Sequence, residues 1–221
     1  MSDRDVSAPH YVGPTTGEEI VHAATHGLGA VLSLATLVWL VARALENGTP
    51  QNVVGAAVFG TSLIAVYLSS TIYHAVPPRH VRTKEALRIC DHAAIHFLIA
   101  GTATPIILCA IGGEGGWIAL AIIWTLATLG IIVETTPLRR RTRLSVGLYL
   151  GNGWAGALAL PTLYTAMSTS SLGCLLLGGL AYTAGVPFFL AHHRKWMHAW
   201  WHGFVLAGSA LHVAAVFLVM Q

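Results

Sequence analysis

Charge is what this sequence has least of. Its 12 Lys and Arg and 9 Asp and Glu make up 10% of 221 residues, where soluble domains carry about a quarter. A water-exposed globule could not cover itself with so few polar groups. At 55% hydrophobic residues the chain is suited instead to lipid as its solvent. The positive excess is slight, +3, and the basic residues fall in short loops rather than along one stripe, which excludes a nucleic-acid surface. Cysteine is scarce: Cys90, Cys109 and Cys174 have neither CxxC nor framework spacing. No disulfide is expected, and thiols inside apolar runs read as buried and inert.

What the chain does have is long apolar runs. About 20 residues are needed to cross a bilayer as a helix. Seven runs meet that length, at residues 20–45, 52–75, 86–111, 115–135, 144–167, 171–191 and 197–220. The dividers between them are turn-forming or charged: Asn47-Gly48-Thr49-Pro50, Pro77-Pro78-Arg79, the glycine-rich stretch 112–116, Arg139-Arg140-Arg141, residues 168–171 and His193-Arg194-Lys195. The expected architecture is therefore an all-α, seven-helix membrane bundle over residues 18–221, after a polar disordered tail over 1–17. The first apolar run is too long for a signal-peptide core and lacks a basic leader, so no cleavage is expected. Gly147 and Gly151 form a GxxxG pair suited to close helix contact. Pro105 and Pro187 are expected to kink the third and sixth spans.

Seven spans put the termini on opposite sides, and Lys and Arg decide which is which. Arg4, Arg79, Arg82, Lys84, Arg88, Arg139, Arg140, Arg141, Arg143, Arg194 and Lys195 fall on the amino-terminal side, with Arg43 alone on the other. Short cytoplasmic loops collect basic residues. The amino terminus is accordingly expected in the cytoplasm and the carboxyl terminus outside.

Ionisable residues within spans are costly and are functional candidates by default. There are 12 histidines. Ser70 and His74 lie four apart in the second span, and His198 and His202 four apart in the seventh, so each pair shares a helical face. Asp91 opens the third span. The topology puts His74, Asp91, His198 and His202 at the cytoplasmic ends of their spans, at one depth. Three imidazoles with an open position suit Zn²⁺. Asp91 would serve as general base towards a water, and Ser70 could bond that water or a substrate carbonyl oxygen. Two other pairs, His22/His26 and His92/His96, compete for the ligand role, and His22/His26 lie at the same end. His212, roughly 15 Å along the helix from His202, is expected to bond another helix instead. Glu18 and Glu19 are expected to cap the first helix, and Glu134 to meet the nearby arginines.

At these residues the chain resembles the haemolysin III family, bacterial relatives of the progestin and adipoQ receptors in the alkaline-ceramidase-like CREST superfamily. The resemblance is carried by Glu18-Glu19 with Thr25-His26-Gly27, by Ser69-Ser70-Thr71-Ile72-Tyr73-His74, and by Asp91-His92-Ala93-Ala94-Ile95. Residues 99–105, His198-Ala199-Trp200-Trp201-His202 and residues 205–212 complete it. One departure is His22, where the family pattern has asparagine. The resemblance implies zinc held by His74, His198 and His202, with Asp91 and Ser70 at the metal-bound water.

Three functions follow as expectations. The first is a zinc-dependent hydrolase of a lipid amide or ester in a bacterial inner membrane, with membrane lipid as substrate. The second is a non-catalytic, zinc-stabilised regulator or sensor of membrane state. The third, a pore-forming cytolysin, ranks last, because the chain has no soluble amphipathic stage. The sequence leaves oligomeric state open.

Overall fold

The computed structural model describes residues 13–221, and among them it is helical throughout, with no strand. Eight α-helices follow in order: α1 Thr16–Asn47, α2 Pro50–Ala75, α3 Val81–Ile106, α4 Gly113–Thr135, α5 Thr142–Ala155, α6 Leu160–Ala166, α7 Thr169–Leu190 and α8 Met197–Val219. Six of them, α1 to α4, α7 and α8, are long and apolar enough to cross a membrane. Residues 1–12 of the expected tail lie outside the described residues, and α1 already begins at Thr16.

The fifth expected span, 144–167, is helical but interrupted. α5 ends at Ala155, a 3₁₀ turn covers Gly156–Ala159, and α6 resumes at Leu160. Sequence accounts for the break. Gly151, Gly153 and Gly156 weaken the helix, and Pro161 has no N–H to continue the ladder. Pro105 likewise leads out of regular helix, into a π-helical turn at Ile107–Ile111. Pro187 sits inside α7 three residues from its end.

Helix ends are set by local chemistry. Thr15 caps α1 in a capping box with Glu18, Thr49 caps α2 with Pro50 behind it, and Ser168 caps α7. α1 stops at Gly48, which takes the left-handed conformation (φ 80°) open to glycine.

Neighbours in sequence pack as neighbours in space: α1 on α2, α2 on α3, α3 on α4, α7 on α8, and α8 closes back onto α1. Phe59, Leu63, Tyr67 and Leu40 are fully buried at the centre. Val31, Leu32, Val38, Leu126, Leu129 and Leu180 face outward, as suits a surface bathed in lipid. The close helix approach is not at Gly147 and Gly151, where a Cβ would meet nothing within 4 Å. It occurs at positions such as Gly29, where α1 lies against the ring of Tyr67. The Tyr67 hydroxyl donates to Ser209 Oγ at 2.7 Å, locking α2 to α8. The cysteines are free, but not buried: Cys90 is exposed, and Cys109 and Cys174 are half-buried.

Candidate metal centre

The start of α1, the end of α2, and the starts of α3 and α8 meet at one end of the bundle. Glu18 and Glu19 are adjacent on α1 and therefore point about 100° apart. Glu18 turns back to the helix end, accepting from the Thr15 backbone N–H at 2.9 Å, and also accepts from the Trp196 N–H at 2.8 Å. Trp196 has φ 65°, an uncommon conformation for a bulky residue that persists only when its surroundings fix it. Glu18 supplies part of that constraint and so helps to set where α8 begins, one residue before His198.

Glu19 does not cap the helix, contrary to the sequence expectation; it faces the bundle. Its Oε2 accepts from His74 Nδ1 at 2.6 Å, and its Oε1 from Lys84 Nζ at 2.6 Å. A carboxylate only accepts, so the His74 proton sits on Nδ1 and Nε2 keeps its lone pair. His202 is held in the same sense. Its Nδ1 lies 3.1 Å from Thr25 Oγ1. The Thr25 proton serves the carbonyls of Val21 and His22, so the hydroxyl accepts from His202 and leaves that ring's Nε2 free.

His74, His198 and His202 thus bring one donor nitrogen each to within 4.8 Å of one another. His74 Nε2 and His198 Nε2 are 3.2 Å apart. Two nitrogen ligands of a tetrahedral zinc ion stand about 3.3 Å apart. His74 and His202 are buried and His198 half-buried. Carboxylate behind imidazole is a common way to fix a metal ligand's tautomer and orientation. The donor set therefore fits a metal ion. A second set with donors within 4.8 Å comprises Glu19, His22 and His74.

Asp91, on α3, is half-buried near Ser70 and His74. Ser70 is buried, and its hydroxyl lies 2.7 Å from His26 Nδ1. The ring of His26 stacks on His202, centroids 3.5 Å apart at 9°. All five residues singled out from the sequence therefore lie at this one end of the bundle.

The residues 15–213 match the family described as Haemolysin-III related. The chain belongs to the haemolysin III family. It is 41% identical to the Hemolysin-3 homolog of Bacillus subtilis over 89% of this chain and 91% of that protein. It is 42% identical to Hemolysin-3 of Bacillus cereus, covering 88% of each. A more distant relative is the human monocyte to macrophage differentiation factor, 30% identical over 73% of this chain and 68% of that protein.

Other residues of this haemolysin III chain fall differently from expectation. Glu134 is fully buried and meets no arginine of the basic loop. It accepts from Tyr149 at 3.0 Å and stands 3.7 Å from His92 Nδ1. Arg139 turns instead to Glu85, at 3.0 Å, which Arg88 also contacts. His92 and His96 thereby belong to the α3–α4–α5 contact. His212, by contrast, does as expected and bonds another helix, with Leu175 O at 3.1 Å joining α8 to α7. Glu19 and Thr25 were named from the sequence only as a helix cap and as part of the family motif, and Lys84 only as a topology residue; none was assigned to the support of the site. The signal for the first two was the Glu18-Glu19 and Thr25-His26-Gly27 motif; for Lys84 it was only a lysine near the end of an apolar span.

Proposed function

We propose that this membrane protein binds zinc through His74, His198 and His202 and hydrolyses a lipid amide or ester drawn from the cytoplasmic leaflet of a bacterial inner membrane. The observation that supports it is the convergence of three imidazoles beside a carboxylate and a hydroxyl, within a bundle whose outer surface is apolar. Zinc held there would act as a Lewis acid and make water a better nucleophile near neutral pH.

The chain's own residues supply the rest. Glu19 and Thr25 hold His74 and His202 with their Nε2 lone pairs free. Asp91 takes a proton from the attacking water as its oxygen bonds to the scissile carbonyl carbon. Ser70 donates to the carbonyl oxygen as negative charge grows on it, with His26 Nδ1 orienting the hydroxyl. The proton held by Asp91 then passes to the departing amine or alkoxide as the C–N or C–O bond breaks, leaving a fatty acid. The positive-inside bias of the loops supports placing this end of the bundle in the cytoplasm.

The test is release of fatty acid, read by mass spectrometry, from a panel of N-acyl and O-acyl lipids by purified zinc-loaded protein. Wild type should release it, and Asp91→Asn should lower the rate by about 10²-fold or more while keeping its zinc. Zinc-loaded wild type that releases nothing from the panel contradicts the hydrolase.

A second reading has its own support. The chain Lys84–Glu19–His74–His198 ties α1, α2, α3 and α8 together, so a metal there would also staple the bundle. In that case the protein senses or adjusts membrane state without turnover. Cytolysis, suggested by the names of the Bacillus relatives, ranks last for a chain built of spans apolar enough to insert as they are made.

A further inference from the structure

His22 is the histidine the hydrolytic mechanism leaves unused, and it sits in the middle of the site. It is 2% exposed, and neither ring nitrogen has a hydrogen-bond partner. A buried polar atom without a partner is costly, and here both nitrogens of one ring are in that condition. Glu19 Oε2 lies 3.8 Å from its Nδ1.

Its position among the other imidazoles is specific. The centroid of the His22 ring lies 4.8 Å from that of His74, 4.8 Å from that of His198 and 5.2 Å from that of His202. Those three are 5.1, 5.2 and 4.6 Å from one another. Imidazoles binding one tetrahedral zinc ion have ring centres about 3.2 Å from the ion and so about 5.2 Å apart. The centres of these four rings are spaced as the vertices of such a site require. His26 does not qualify: its Nδ1 is held by Ser70, and its ring is stacked face to face on His202.

Resting on the metal assignment above, we propose that His22 is a fourth imidazole ligand, closing the coordination sphere in the resting protein. Its donor atoms group within 4.8 Å with those of Glu19 and His74, not with those of His198 and His202. Joining the set thus requires the ring to turn about its side-chain bonds. The same freedom lets it swing back towards Glu19. Water or a substrate carbonyl then competes with His22 for the ion, and asparagine at this position leaves the fourth position open.

X-ray absorption on the full-length, zinc-loaded protein tests this without any substrate. Wild type should give four imidazole nitrogens around each zinc. His22→Asn should give three imidazoles and one oxygen at the same zinc stoichiometry, and added imidazole should restore the fourth nitrogen in His22→Ala. The wild-type spectrum decides even where a variant fails to fold. Three imidazoles and an oxygen in wild type, unchanged in His22→Asn, overturn the closed sphere while leaving zinc binding intact. Wild type that binds no zinc removes the metal assignment and the proposal with it.

Discussion

Glu19 gives the sharpest handle on how the site is held. Its carboxylate joins the His74 ring on one side and the Lys84 ammonium on the other, both at 2.6 Å, and the Glu19 side chain is only 10% exposed. Glu19→Gln keeps the shape and one acceptor oxygen but removes the charge that makes His74 a better donor to a metal. Loss of such a supporting carboxylate costs about 10- to 100-fold in metal affinity, or about 1.4 to 2.8 kcal/mol. Lys84 keeps its bonds to the carbonyls of Tyr73 and Val76, so the substitution should leave the bundle folded. Lys84→Met, which spares the Glu19–His74 contact, should weaken zinc by less than tenfold. The assay is zinc affinity in detergent by competition with a chelator of known strength. Zinc binding by Glu19→Gln within twofold of wild type would refute the idea that this carboxylate tunes His74.

Two further outcomes follow from packing. Gly29→Ala pushes a methyl into the ring of Tyr67, which is pinned by Ser209, and should cost about 1 to 3 kcal/mol and lower the detergent Tm. Gly147→Ala meets nothing and should leave the Tm unchanged or slightly raised; the reverse order of the two Tm values would contradict the packing. His212→Leu removes the bond to Leu175 O, worth about 1 kcal/mol. It should lower the Tm with zinc content unchanged, because it lies roughly 15 Å along α8 from His202.

Sequence was most informative where one physical demand dominates. Lipid requires about 20 apolar residues per span, so six spans were legible within a few residues. The break within the fifth was not, because an average over its length hides the local weakness of Gly156 and Pro161. Depth was legible for His74, His198 and His202, since topology alone places them near one end. Their partners were not, because Glu19 and His74 are 55 residues apart and Thr25 and His202 are 177 apart. Nearness in sequence also misled. Glu134 is close to the arginine loop along the chain, yet it faces α3 and α5, while Arg139 reaches across to Glu85.

The central claim is that His74, with His198 and His202, holds zinc while Asp91 does not. Metal analysis of purified wild type beside His74→Ala and Asp91→Ala tests it most directly. Zinc should be near one per chain in wild type, lost or much reduced in His74→Ala, and largely kept in Asp91→Ala. Equal zinc in wild type and His74→Ala would contradict it.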